Sequence, residues 1–231
     1  MANISIVVHA EGPGELGNPD RNVRPQDSLQ SDNLGPAHIV VQRILTEGGK
    51  IPAAAIEFKE PLRIAYETGA RAQGSKLLKS GVLNDILSPW QLNFQSVPPL
   101  IVFLVDSDDS PPQERISILQ QALDKYSLQG AVGVAVKEFE AWLVSDSKAI
   151  NQVIGSVSKS FQHPENLKSG EAKRNLSEWM QSIAHANHKI IDIRRDLATA
   201  MDLNLVAELC PSFKRFRQTL LAFDAQNFQI Q

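Results

Sequence analysis

A chain of 231 residues with 42% hydrophobic content suits one large domain, or one domain with a smaller appendage, around a substantial core. Its formal net charge of -3 lacks the basic footprint of a dedicated DNA-binding module, but leaves room for a nuclease, whose site must itself be acidic. A single cysteine, Cys210, precludes an intrachain disulfide and fits a reducing cytoplasm; no apolar run approaches the roughly 20 residues of a membrane span, and no signal peptide is expected.

Ile4 to Ala10 reads as a buried strand that stops on Glu11-Gly-Pro-Gly-Glu15. His9 lies in this strand and is expected in the core, where it could orient Glu11. A long polar loop follows from Asn18 to Asn33, and its Arg21 and Arg24 are candidates for contacting substrate phosphates over the acidic edge. Pro36 to Glu47 has helical spacing and ends at Gly48-Gly49. Residues 52–58 predict a second strand, and Gly69 to Leu87 a basic helix.

Ile101 to Asp106 is an uninterrupted apolar run, as expected of a parallel strand buried on both faces. It delivers Asp106, Asp108 and Asp109 within four residues before Pro111 and Pro112. Such crowded like charges cost stability unless something cationic sits among them. Asp106 and Asp108 share one side if the strand continues past its end. Gln113 to Tyr126 predicts an amphipathic helix, and Ala131 to Val136 a further strand running into Lys137-Glu-Phe-Glu-Ala-Trp142.

Beyond this point only helices are predicted: Phe139 to Ile150, Ser169 to Ala186, Ile191 to Ala200, and Ser212 to Ala222 with an N-cap serine. The last buries Phe213, Phe216 and Leu220. The basic groups Lys173-Arg174, Arg194-Arg195 and Lys214-Arg215-Phe216-Arg217 read as solvated helix faces, with a phosphate-contacting edge as the sharper alternative. His185 and His188 lack a third ligand in register for zinc.

The fold class is therefore α/β: a small parallel sheet flanked by helices over 1–150, with a helical C-terminal region over 151–231 packed on it. In open α/β sheets ligands bind outside the carboxyl ends of the strands, and three strands here deliver carboxylates at that end. A hard divalent ion, Mg²⁺ or Mn²⁺, suits such oxygen donors. Glu11, Asp106 and Asp108 are the primary ligand candidates, with Glu15, Asp109, Glu138 and Glu140 for a second ion or the outer shell.

The segments Ala10–Glu15, Val102–Asp109, Val136–Trp142 and Pro211–Phe216 resemble, in order, domain-of-unknown-function family 4276 (DUF4276), which is similar to the Toprim fold of topoisomerases, primases and overcoming-lysogenisation-defect nucleases. The resemblance implies Glu11 as metal ligand or general base, Asp106 and Asp108 as the metal pair, and Glu140 facing the site above a packed Trp142. It implies Lys173 as a phosphate-neutralising group, nucleic acid as substrate, and an ABC-type ATPase partner in phage defence or DNA processing. The chain has no Walker motif of its own.

Three functions are consistent with these residues. The first is a metal-dependent phosphodiesterase, most simply an endonuclease. The second is a glycosyltransferase using Asp-x-Asp to hold Mn²⁺ and a nucleotide-sugar, against which stands the absence of a nucleotide-binding half. The third is a non-catalytic subunit that binds an ATPase or nucleic acid. An aspartyl phosphatase is excluded because its Asp-x-Asp belongs on the first strand.

Overall fold

A computed structural model of the chain describes residues 3–17, 23–64, 70–92, 98–155, 160–181 and 189–223. Four strands form one all-parallel sheet: β1 (Ile4–Ala10), β2 (Ile56–Lys59), β5 (Leu100–Asp106) and β6 (Gly130–Ala135), in the order β2-β1-β5-β6. Between β2 and β5 a short antiparallel pair, β3 (Arg63–Ile64) with β4 (Ala70–Arg71), stands apart from that sheet. The expected class is what is found: α/β, with helices on both faces and a helical C-terminal region.

The sheet faces segregate by the two-residue period of a strand. Ile6, Val8, Leu100, Val102 and Leu104 pack against α2 (Pro36–Arg43), α8 (Ile190–Ala200), α9 (Leu203–Leu209) and α10 (Pro211–Leu221). Val7, Ile101, Phe103, Val105, Val132 and Val134 pack against α3 (Ser80–Leu92) and α4 (Pro112–Lys125). Burial on both faces is why β5 reads as a continuous apolar run rather than an alternating one. Gly133 in β6 lets α10 come close: a Cβ there would lie 2.8 Å from the Phe216 ring and 2.5 Å from Leu104 Cδ2.

Several elements differ from the expectation. Gly69 lies outside the described residues, and residues 70–79 are not part of α3: β4 and a 3₁₀ segment, Gly74–Leu78, occupy them, with Gly74 at a positive φ of 57°. The predicted helix 139–150 is two helices, α5 (Glu140–Leu143) and α6 (Ser147–Val153), because the Asp146 side chain accepts from Lys148 and Ala149 N–H groups and so starts a new one. Asp202 likewise caps α9, a helix the spacing did not predict. α7 (Glu171–Gln181) starts two residues later than expected; the predicted helix end at Ala186, like His185 and His188, lies outside the described residues. Ser212 is not the N-cap of α10, because Cys210 holds that place and Pro211 opens the helix.

The sheet order sets the functional geometry. The chain winds from β1 outward to β2, then returns to place β5 on the other side of β1 and β6 beyond it. The reversal falls between β1 and β5, where Glu11 and Asp106 leave their strands. That switch point is where open α/β sheets bind ligands.

Candidate functional site

β5 outruns β1, since Ala10 pairs with Leu104 while Asp106 pairs with Ala135 of β6. Glu11 therefore meets the end of β5 from the side, and its Oε1 accepts from the Asp106 N–H at 3.2 Å. Asp106 Oδ1 accepts from the Phe139 N–H at 2.7 Å, which ties β5 to the turn after β6. The strand does not continue to Asp108 as expected: Asp108 has a φ of +48° and turns outward, its side chain 62% exposed. Lys137 opposite it is also left-handed, at +65°, and the Asp108 N–H donates to its carbonyl. Two such non-glycine residues facing each other mark a strained turn at the sheet edge.

Two arginines enter this edge. Arg115, in the first turns of α4, points its Nη2 at Asp108 Oδ2 (2.9 Å), places Nη1 3.9 Å from Glu11 Oε1, and donates from Nη1 to the Asp106 carbonyl. Arg194 of α8 enters from the other face, with Nη1 3.6 Å from Glu15 Oε1 and Nη2 against Glu140 Oε1. Glu15 sits in α1 (Pro13–Leu16), the turn after β1, and Glu140 opens α5. Residue Arg194 is thus not on a solvated helix face but buried.

Five carboxylates (Glu11, Glu15, Asp106, Asp108 and Glu140) here face two guanidinium groups. The shortage of positive charge shows in their titration. Burial, and then the charges of Glu140, Glu11 and Glu15, push the Asp106 carboxyl up to about 9. Burial and the Glu140 charge push Glu15 up to about 7. Glu11 is raised as well, chiefly by burial.

The remaining candidates lie further out. Glu138 Oε1 accepts from the Ala172 and Lys173 N–H groups (2.7 and 3.2 Å), so it holds the start of α7. Burial pushes Glu138 up, and the charge of the exposed Lys173 only partly offsets it. Asp109 is 85% exposed and pairs with Lys137 at 2.9 Å. Trp142 is fully buried, stacked on Phe216 and edge-on to Phe213. His9 is buried and stacked on Phe103, and burial pushes it down to about 3, so it stays neutral. Arg24 is exposed in a turn closed onto Asp27, and Arg21 lies outside the described residues.

The donor set suits a hard divalent ion in kind: all oxygen, closely spaced, and short of positive charge. It is not drawn into a ready cage, since among the described residues no three His, Cys, Asp or Glu side chains converge as metal ligands. The arginines stand between the carboxylates instead.

No helix among the described residues is long and apolar enough to cross a membrane. The model of a family described as a domain of unknown function, DUF4276, matches residues 42–221. The matched range holds Asp106, Asp108, Arg115, Glu140 and Arg194 and begins after Glu11 and Glu15. No curated protein and no solved structure matches the chain.

Proposed function

We propose that this chain, which belongs to the DUF4276 family, is a metal-dependent phosphodiesterase of Toprim-like type that cleaves DNA or RNA. The observation that carries this reading is the excess of carboxylates over guanidinium groups at the switch point of a parallel sheet, with Asp106 pushed up to about 9. A carboxyl in that state exchanges its proton for a cation when one is offered. Asp106, Glu11 and Asp108 would hold Mg²⁺ or Mn²⁺, Asp106 by the oxygen that Phe139 leaves free.

A bound divalent ion supplies Lewis acidity toward a phosphoryl oxygen and acidifies water for in-line attack. The chain supplies the rest. Glu11, raised by burial, has general base for the attacking water as its alternative role to ligating the ion. Arg115 stands between Glu11 and Asp108, where its guanidinium can meet a phosphate once those carboxylates turn to another cation. Exposed Lys173, Arg174, Lys214 and Arg215 offer further phosphate contacts on the C-terminal helices. An ABC-type ATPase partner in phage defence or DNA processing belongs to the same reading, by resemblance to the family.

A second reading is a non-catalytic subunit, favoured by the absence of a preformed cage among the described residues. Cleavage of supercoiled plasmid and single-stranded nucleic acid with Mg²⁺ or Mn²⁺ separates the two. The wild type should cut and an Asp106→Ala/Asp108→Ala variant should not. If neither cuts, and Mn²⁺ shifts neither melting curve, the acidic edge is a scaffold for binding.

A further inference from the structure

The sheet has two edges, and the chain treats them differently. The β2 edge is covered by the chain itself: the Leu29 N–H donates to the Phe58 carbonyl and the Glu60 N–H to the Asp27 carbonyl, both at 2.8 Å, and Ser28 bridges to Lys59. The β6 edge carries no such strap among the described residues. The Gln129 carbonyl accepts from the Ile101 N–H and the Ala135 carbonyl from the Ser107 N–H, so the odd-numbered residues of β6 turn their backbone to β5. Strand alternation then turns the N–H and C=O groups of Val132 and Val134 outward. These two residues are only 5% and 3% exposed, so their unpaired backbone groups sit where little water reaches them.

Beside them runs a groove of about 240 Å³. One wall is α4, through Gln113 and Ile116; the other is α10, through Ser212, Arg215 and Phe216; Val132 and Val134 lie between. Because α4 covers one face of the sheet and α10 the other, the groove lies in the plane of the sheet, where a next strand would run about 4.8 Å from β6. β6 also lacks the usual guards against pairing, since Gly130–Ala135 contains no charge and no proline.

A second copy of the chain does not fit there. Its own β6 is recessed between its own helices, so two such edges cannot come within strand spacing of each other. A single extended segment does fit. Arg215 on the rim is exposed and has no acidic partner among the described residues, while Glu165 is already engaged by the Ser212 N–H and hydroxyl. We propose that the recessed edge of β6 docks an extended segment of another protein as a fifth strand, with an acidic side chain of that segment set against Arg215. The inference does not rest on the metal-dependent reading above.

The test uses a short capped peptide of alternating valine and threonine, with one threonine replaced by aspartate, added to the full chain and followed by amide magnetic resonance and hydrogen exchange. Saturable shifts centred on Val132 and Val134, with their amides exchanging about tenfold more slowly, are expected. The same peptide N-methylated throughout should give neither effect. Arg215→Glu should reverse the preference for the aspartate peptide over its lysine counterpart. Val134→Pro removes an outward donor and should abolish binding. Because the proline variant could fail to fold, Gln113→Trp, which fills the groove from the α4 rim, provides an independent arm and should also abolish it. No response at about 1 mM peptide overturns the proposal. So does an undiminished response to the N-methylated peptide or in Gln113→Trp, or an unchanged preference in Arg215→Glu. A single-stranded oligonucleotide that moves the same amides where the peptide does not would overturn it too, and would make the groove part of a nucleic-acid surface.

Discussion

Arg194 and Arg115 meet the same row of strand ends from opposite faces of the sheet, yet they answer different physical problems. Around Arg194 every partner is buried, so the charges there have lost their water and depend on one another. Around Arg115 a partner carboxylate still reaches solvent, which screens the pair and keeps it exchangeable. One acidic edge thus has a sealed half and an open half. Identical chemistry, arginine against carboxylate, serves as internal scaffold where it is dry and as a replaceable contact where it is wet.

The most forceful way to break this comparison is Arg194→Met, which strands two buried carboxylates. We expect a loss of about 3–5 kcal/mol of unfolding free energy, read by urea denaturation without metal. A loss below about 1 kcal/mol would mean that the sealed half is solvated after all.

The next effect has the opposite sign. Asp106→Asn removes a carboxyl that stays protonated in the fold at pH 8 but ionises in the unfolded chain, and keeps the Oδ1 that Phe139 uses, so the metal-free protein should gain about 1–3 kcal/mol at pH 8. The raised Asp106 makes the wild type most stable, on this account, below the ordinary aspartate range, and that stability is lost as pH rises toward about 9. Glu15 adds a slope of the same sign up to about 7. Melting temperatures from pH 4 to 9 should therefore converge for the two proteins at the acid end and diverge at the basic end. Parallel curves would show that Asp106 ionises freely.

Arg115→Gln should cost only about 1 kcal/mol, since it gives up hydrogen bonds at a partly wet site. A cost matching that of Arg194→Met would erase the distinction between the halves. Asp109→Asn, at the exposed pair with Lys137, should change stability by no more than about 0.5 kcal/mol.

The strands that end at or just before Glu11 and Asp106, and the one that leads into the turn before Glu140, were legible because an apolar run of that length matches a buried strand. The arginines were not. A basic pair on an amphipathic helix reads as solvated, yet Arg194 lies on the same stripe as Ile193, Leu197 and Ala198, and Arg115 on that of Leu119 and Leu123. A charged residue at a stripe position is the signal that could have found both. The turn at Asp108 escaped because strand patterning cannot report a single left-handed residue. The 3₁₀ segment at Gly74–Leu78 escaped because its Leu-Leu spacing imitates the helix that follows.

The pairing of Glu15 with Arg194 also has a history within each molecule's making. The acid is translated about 180 residues before its counter-charge. At roughly 5–20 residues per second the nascent sheet must wait some ten seconds or more for α8. Until that helix arrives, the edge can hold its carboxylates together only by keeping protons or borrowing ions from the surrounding solution. A helix made some 180 residues later thereby decides when the turn after β1 can settle.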